Sequence, residues 1–156
     1  MNGRSSIAAM LAGSARLLVI NGAALMLAGL LCGLTVESAP LPRLMLTAHI
    51  QFLVNGMVSV LAGLLLRTGL SVVSGRGGAI IVMGHVTTWA VCLSEVAGAV
   101  WGTTKALPIA AAQAGAKGGA PWQEALVLLC HVIPGIFLIA AWALLVAGLL
   151  RRERLA

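Results

Sequence analysis

The chain is 156 residues long, 60% apolar and 9% charged, with a mean hydropathy of +1.05. A soluble domain is roughly half apolar and a quarter charged, so a water-soluble fold is excluded. The formal charge of +6 comes from ten Lys/Arg against four Glu and no Asp; these cations stand at the ends of apolar runs instead of forming a basic polar face, which argues for membrane topology and against a nucleic-acid partner.

A crossing helix needs about 20 apolar residues at about 1.5 Å each. Four runs reach that length: 17–36, 44–66, 78–102 and 125–150. They predict an all-α, single-domain bundle of four transmembrane helices. The first run has a basic start, but its apolar stretch is too long for a cleaved signal, and Leu30-Leu31-Cys32 lacks the small residue a lipoprotein site places before its Cys. It is therefore read as a retained helix. Residues 37–43, with Pro40 and Pro42, predict a tight turn. Gly75-Arg76-Gly77-Gly78 is read as a short loop and not a phosphate cradle, since it lacks the following Lys-Ser/Thr and the preceding strand.

Four crossings put both termini on one side. That side collects Arg4, Arg16, Arg67, Arg76, Arg151, Arg152 and Arg154, against Arg43, Lys105 and Lys117 on the other. The positive-inside rule then predicts a multi-pass membrane protein with cytoplasmic termini. Trp101 and Trp122 bracket the long outer loop as an interfacial belt, and Trp142 is expected to face lipid. Cys32, Cys92 and Cys130 lie inside predicted helices with no metal-type spacing, and are read as small apolar residues. Gly29-x-x-x-Gly33 and Ala143-x-x-x-Ala147 permit close helix approach, either within one bundle or between copies. Four helices enclose little room for a ligand, so a ligand site would draw on a homo-oligomer.

Polar groups inside a membrane are costly, at about 2.5–3.5 kcal/mol for an ionisable one on insertion scales, and they mark working sites. The second run carries His49, Gln51 and Asn55, the third His85, Thr87, Thr88 and Glu95, and the fourth Glu124 and His131. Helix direction and rise place His49, Asn55, Glu95 and His131 together in the outer half, and His85 near the inner end. Gln51 and Asn55 share one face of their helix, with His49 about 120° round from Asn55. For His85 a hydrogen bond to a neighbouring helix is the favoured reading, and for His131 it is an equal alternative to function. Asn21 reads as interhelical glue, and Glu124 as a helix cap favoured by the N-terminal dipole. Glu95 needs a partner or protonation at that depth, which makes it a functional candidate.

The stretch Ala48-His49-Ile50-Gln51-Phe52-Leu53-Val54-Asn55-Gly56-Met57, with Ala106-Leu107-Pro108-Ile109-Ala110-Ala111 and Ala120-Pro121-Trp122-Gln123-Glu124, resembles hydroxylaminobenzene mutase. The His-x5-Asn-Gly-Met pattern is also similar to that of the styrene oxide isomerases, small four-helix membrane enzymes. The resemblance implies a homotrimer and a haem b whose iron is ligated by His49 and acts as a Lewis acid, with Asn55 pointing at the substrate. The styrene oxide isomerases also use a Tyr on the third helix. This chain has no Tyr, and aligning on Trp89 brings Glu95 to that place.

The implied reaction is conversion of hydroxylaminobenzene to 2-aminophenol, with ferric haem b on His49. Asn55 would hydrogen-bond the substrate nitrogen or oxygen, Glu95 would take the ortho proton, and Gln51 and Trp89 would contact the ring. The lipid-embedded site would exclude water and admit an apolar arylhydroxylamine. Two other readings remain open on the residues alone: a b-type cytochrome clamping haem between His49 and His131, and a small transporter or assembly subunit.

Overall fold

The computed structural model describes the backbone of residues 3–153 and the side chains of residues 8–151. The side chains of Arg4, Arg152 and Arg154, three of the cations assigned to the terminal side, lie outside the described residues. The described chain is all-helical, with α1 (Gly3–Gly33), α2 (Pro42–Arg67), α3 (Gly75–Val86), α4 (Thr88–Trp101), α5 (Pro108–Ala114) and α6 (Pro121–Glu153). Four spans are long and apolar enough to cross a membrane, the third being α3 and α4 end to end.

Local chemistry sets the element ends. Pro42 opens α2, where its missing N–H costs nothing. Ser74 caps α3 by accepting the Gly77 N–H at 3.1 Å, so Gly75-Arg76-Gly77-Gly78 is the first turn of a helix and not a loop. The third span breaks at Thr87, because the hydroxyls of Thr87 and Thr88 donate back to the Met83 and His85 carbonyls at 3.0 and 2.6 Å. Such back-bonds compete with the helical ladder and bend it. α1 starts well before residue 17, since Ala8-Ala9-Met10-Leu11-Ala12 are strong helix formers and hydropathy marks the membrane core, not the helix end. Arg16 consequently lies on an exposed face within α1.

α1 and α2 form the most intimate pair, and α6 packs along α3 and α4. In lipid, close packing replaces the hydrophobic effect as the force between helices. Gly22 and Gly56 supply it: a Cβ at Gly22 would stand 2.5 Å from the Gly56 carbonyl. Gly29 and Gly33 face α2 as their spacing predicts, but Ala143 is exposed, and α6 makes its close approaches at Ala141 and Gly148 instead. Trp142 is half-buried against the bundle, not turned to lipid, with its ring 6.1 Å from that of His85.

Asn21 is the interhelical link its position suggests. Its amide nitrogen donates to Ser59 Oγ at 3.1 Å and to the His85 carbonyl at 3.4 Å, and its oxygen accepts the Trp89 indole N–H at 3.0 Å. His85 is fully buried, with Nδ1 on the Ile81 carbonyl one turn back in its own helix. This network joins α1, α2 and the third span away from the loop end.

At the loop end Glu124 does more than cap α6. Its carboxylate accepts the backbone N–H groups of Thr104, Lys105 and Gly119 at 2.9–3.2 Å, clamping both arms of the α4–α6 connection. Trp101 and Trp122 meet edge to face there, centroids 5.2 Å apart.

Candidate functional site

Asn55, Glu95 and His131 converge in the loop half of the bundle, as their depths predict. α2, α4 and α6 leave between them a cleft of about 160 Å³ lined by Gln51, Asn55, Thr88, Val91, His131, Pro134, Gly135 and Leu138. The α6 wall recedes because Gly135 has no side chain, and a Cβ there would touch nothing within 4 Å. A cavity of about 150 Å³ is enough to take a benzene ring, so the cleft is the size of one aromatic ring.

Polar groups in the cleft are held by their neighbours. The Asn55 amide nitrogen donates to the Gln51 carbonyl at 3.0 Å and lies 3.7 Å from Cys92 Sγ. Its oxygen has no protein donor among the described residues and remains an acceptor for a ligand N–H or O–H. On α6, His131 Nδ1 is 2.7 Å from the Val127 carbonyl, and Nε2 is 3.1 Å from Glu95 Oε1. A carbonyl only accepts, so Nδ1 carries a hydrogen, and Nε2 and Oε1 share a proton between them. Glu95 is 2% exposed and is absent from the cleft wall; it reaches the cleft through His131.

Of the other expected site residues, Gln51 lines the cleft, while Trp89 and His49 lie elsewhere on α4 and α2. Trp89 packs edge to face on Phe52, centroids 5.8 Å apart, and its indole N–H runs to Asn21 of α1; it is not part of the cleft wall. Gln51 joins the cleft to a shallower groove of about 430 Å³ between α2 and α5, where Arg43 donates to Gln113 at 2.9 Å.

His49 sits on the α1 side of α2. Its Nδ1 donates to the Gly29 carbonyl at 2.7 Å, and its ring occupies the place where a Cβ on Gly33 would fall, 2.9 Å from the ring. That bond fixes the tautomer and leaves Nε2 with its lone pair, the arrangement a metal-ligating imidazole needs. The ring is half-buried beside Leu46 and Ile50, both exposed apolar residues. The donor set therefore fits a haem iron. Within one chain His49 and His131 do not face each other: one is bonded to α1, the other to α4.

Sequence reasoning named Thr88 among the polar candidates and placed His131 at the right depth without assigning either to the cleft, and it missed Val91, Leu138 and the Pro134-Gly135 pair. A Pro-Gly pair inside an otherwise unbroken apolar helix was the available signal, since it removes one N–H and one side chain.

Fold and cleft define a four-span membrane protein with a small polar site inside its loop half. A family model described as styrene oxide isomerase matches residues 14–150. The chain belongs to that family and is accordingly a membrane isomerase. No match was found among curated proteins or solved structures.

Proposed function

We propose that this protein isomerises hydroxylaminobenzene to 2-aminophenol in the bacterial inner membrane, with both termini cytoplasmic and ferric haem b held by His49. The observation that supports it most is the pairing of Glu95 with His131 beside Asn55, in a chain without tyrosine, around a cleft the size of one aromatic ring.

The reaction breaks the N–O bond, forms a C–O bond at the ortho carbon, and moves one proton from that carbon to nitrogen with no net redox change. His49 would hold the haem, whose ferric iron would supply a Lewis acid for the N–O bond; since His49 lies on the α1 side of α2, the haem serving this cleft would be one held by a neighbouring copy in the proposed homotrimer. Asn55 orients the hydroxylamine by accepting an N–H or O–H on its free oxygen. The Glu95–His131 pair takes the ortho proton and returns one to nitrogen, ending as it began. Apolar walls, among them Val91 and Leu138, exclude the water that would add at the para position. Trp89 works from behind, fixing α4 against α1 and α2. A homotrimer would cover the exposed apolar face of α2 around His49, which one chain leaves open.

Purified protein incubated with hydroxylaminobenzene tests this reading. It predicts 2-aminophenol as product and a high-spin ferric haem spectrum that shifts on substrate addition. Haem-free protein, or haem indifferent to the substrate, would contradict it.

A further inference from the structure

The second oxygen of Glu95 has no role in the pair described above. Oε2 is buried and has no hydrogen-bond partner among the described residues. A carboxylate oxygen left bare in a membrane interior is costly, so such an atom calls for an unseen partner. Beside it lies a separate, more enclosed cavity of about 10 Å³, walled by Leu44, Glu95, Gly98, Thr103, Ala106, Leu107 and Val127. That volume matches about one water molecule, which needs at least two polar partners. Glu95 and Thr103 are the two polar side chains in the wall, and Thr103 is only 5% exposed.

The cavity is kept open by local sequence. Gly98 has no side chain, and a Cβ there would stand 2.8 Å from Thr103 Oγ1, in the space itself. Gly102, with φ of 72°, turns the chain out of α4 so that Thr103 folds back over the opening. The Glu124 clamp on the Thr104 and Lys105 N–H groups fixes that roof. Thr104 is half-buried and Lys105 exposed, so solvent lies within two residues of Thr103.

We infer that one water molecule binds between Glu95 Oε2 and Thr103 Oγ1, and that it makes Glu95 the link in a proton path from the cleft to the loop surface. Glu95 then joins two hydrogen-bonded segments: Oε1 to His131 and the cleft, Oε2 to the water and the loop. Its titratable neighbours are His131, bonded to Oε1, and Cys92, one turn back on α4. Along this path a proton taken from substrate exchanges with solvent, and no other group changes its charge. Glu95 and Thr103 act through His131 and are positioning residues. The inference depends on the proposed reaction only for what enters the cleft, so its test is made without substrate.

Infrared spectra of the purified protein in lipid nanodiscs isolate the carboxyl band of Glu95 by difference against Glu95→Gln. The band is expected to shift in His131→Asn, and on transfer to D2O to exchange faster in wild type than in Thr103→Val or Gly98→Ala. Thr103→Ser, which keeps the hydroxyl, should restore the wild-type rate. Equal exchange rates in wild type, Thr103→Val and Gly98→Ala, or a Ser variant as slow as Val, would overturn the inference. Should wild type leave hydroxylaminobenzene unchanged while these exchange differences hold, the substrate reading fails and the water path stands.

Discussion

Glu95 Oε1 and His131 Nε2 lie 3.1 Å apart with Glu95 completely enclosed, a buried acid–base pair between α4 and α6. Such a pair contributes little net stability, because desolvation offsets its attraction, yet breaking it by removing one partner costs about 3–5 kcal/mol. His131→Leu should therefore lower stability markedly by leaving Glu95 alone, and the double variant Glu95→Leu/His131→Leu should regain most of it while remaining inactive. Thermal unfolding in detergent compares the three proteins. A double variant as unstable as the single would mean that the pair serves packing.

Glu95→Gln keeps the shape of the side chain and removes its proton capacity. It should retain haem and its substrate-induced spectral shift, and convert hydroxylaminobenzene on the order of 10²–10⁴-fold more slowly, the usual loss of acid–base assistance. Steady-state kinetics beside a haem titration separate the two effects. Turnover near wild type would make Glu95 structural.

His49→Ala should abolish haem retention and activity together, since one axial bond plus packing holds the group. Gly33→Leu should act the same way without touching His49, by driving a side chain into the ring's position. His131→Ala should keep its haem, because His131 is bonded to Glu95 on the other side of α2. Full haem occupancy in His49→Ala, or its loss in His131→Ala, would reverse the assignment of the ligand.

Glu124→Ala removes the acceptor of three backbone N–H groups, each hydrogen bond to a charged group being worth about 1.5–3 kcal/mol. The connection between α4 and α6 should loosen, with lower thermal stability and faster amide exchange at Thr104, Lys105 and Gly119. Unchanged protection at those amides would show that the loop holds itself.

The four spans and their order were legible because about 20 apolar residues in a row admit one structure in lipid. The depth of Asn55, Glu95 and His131 followed from helix rise alone. Rotation about each helix axis was not legible, and it decides the site: α2 turns His49 to α1 and Asn55 to α4, and α4 turns Trp89 to α1, away from the cleft. Close approach was half readable, since Gly29 and Gly33 do face α2, whereas Ala143 proved exposed because small residues on a lipid face look the same in sequence. The Glu124 clamp was hidden for a different reason. Its partners are backbone N–H groups of a folded loop, which leave no mark in side-chain pattern.

The most direct measurement follows the oxygen atom. Hydroxylaminobenzene labelled with ¹⁸O on nitrogen, incubated with the purified protein in unlabelled water, should give 2-aminophenol that retains the label, since the cleft transfers oxygen within one molecule and excludes solvent. Product carrying oxygen from water, or 4-aminophenol in place of the ortho isomer, would contradict the account.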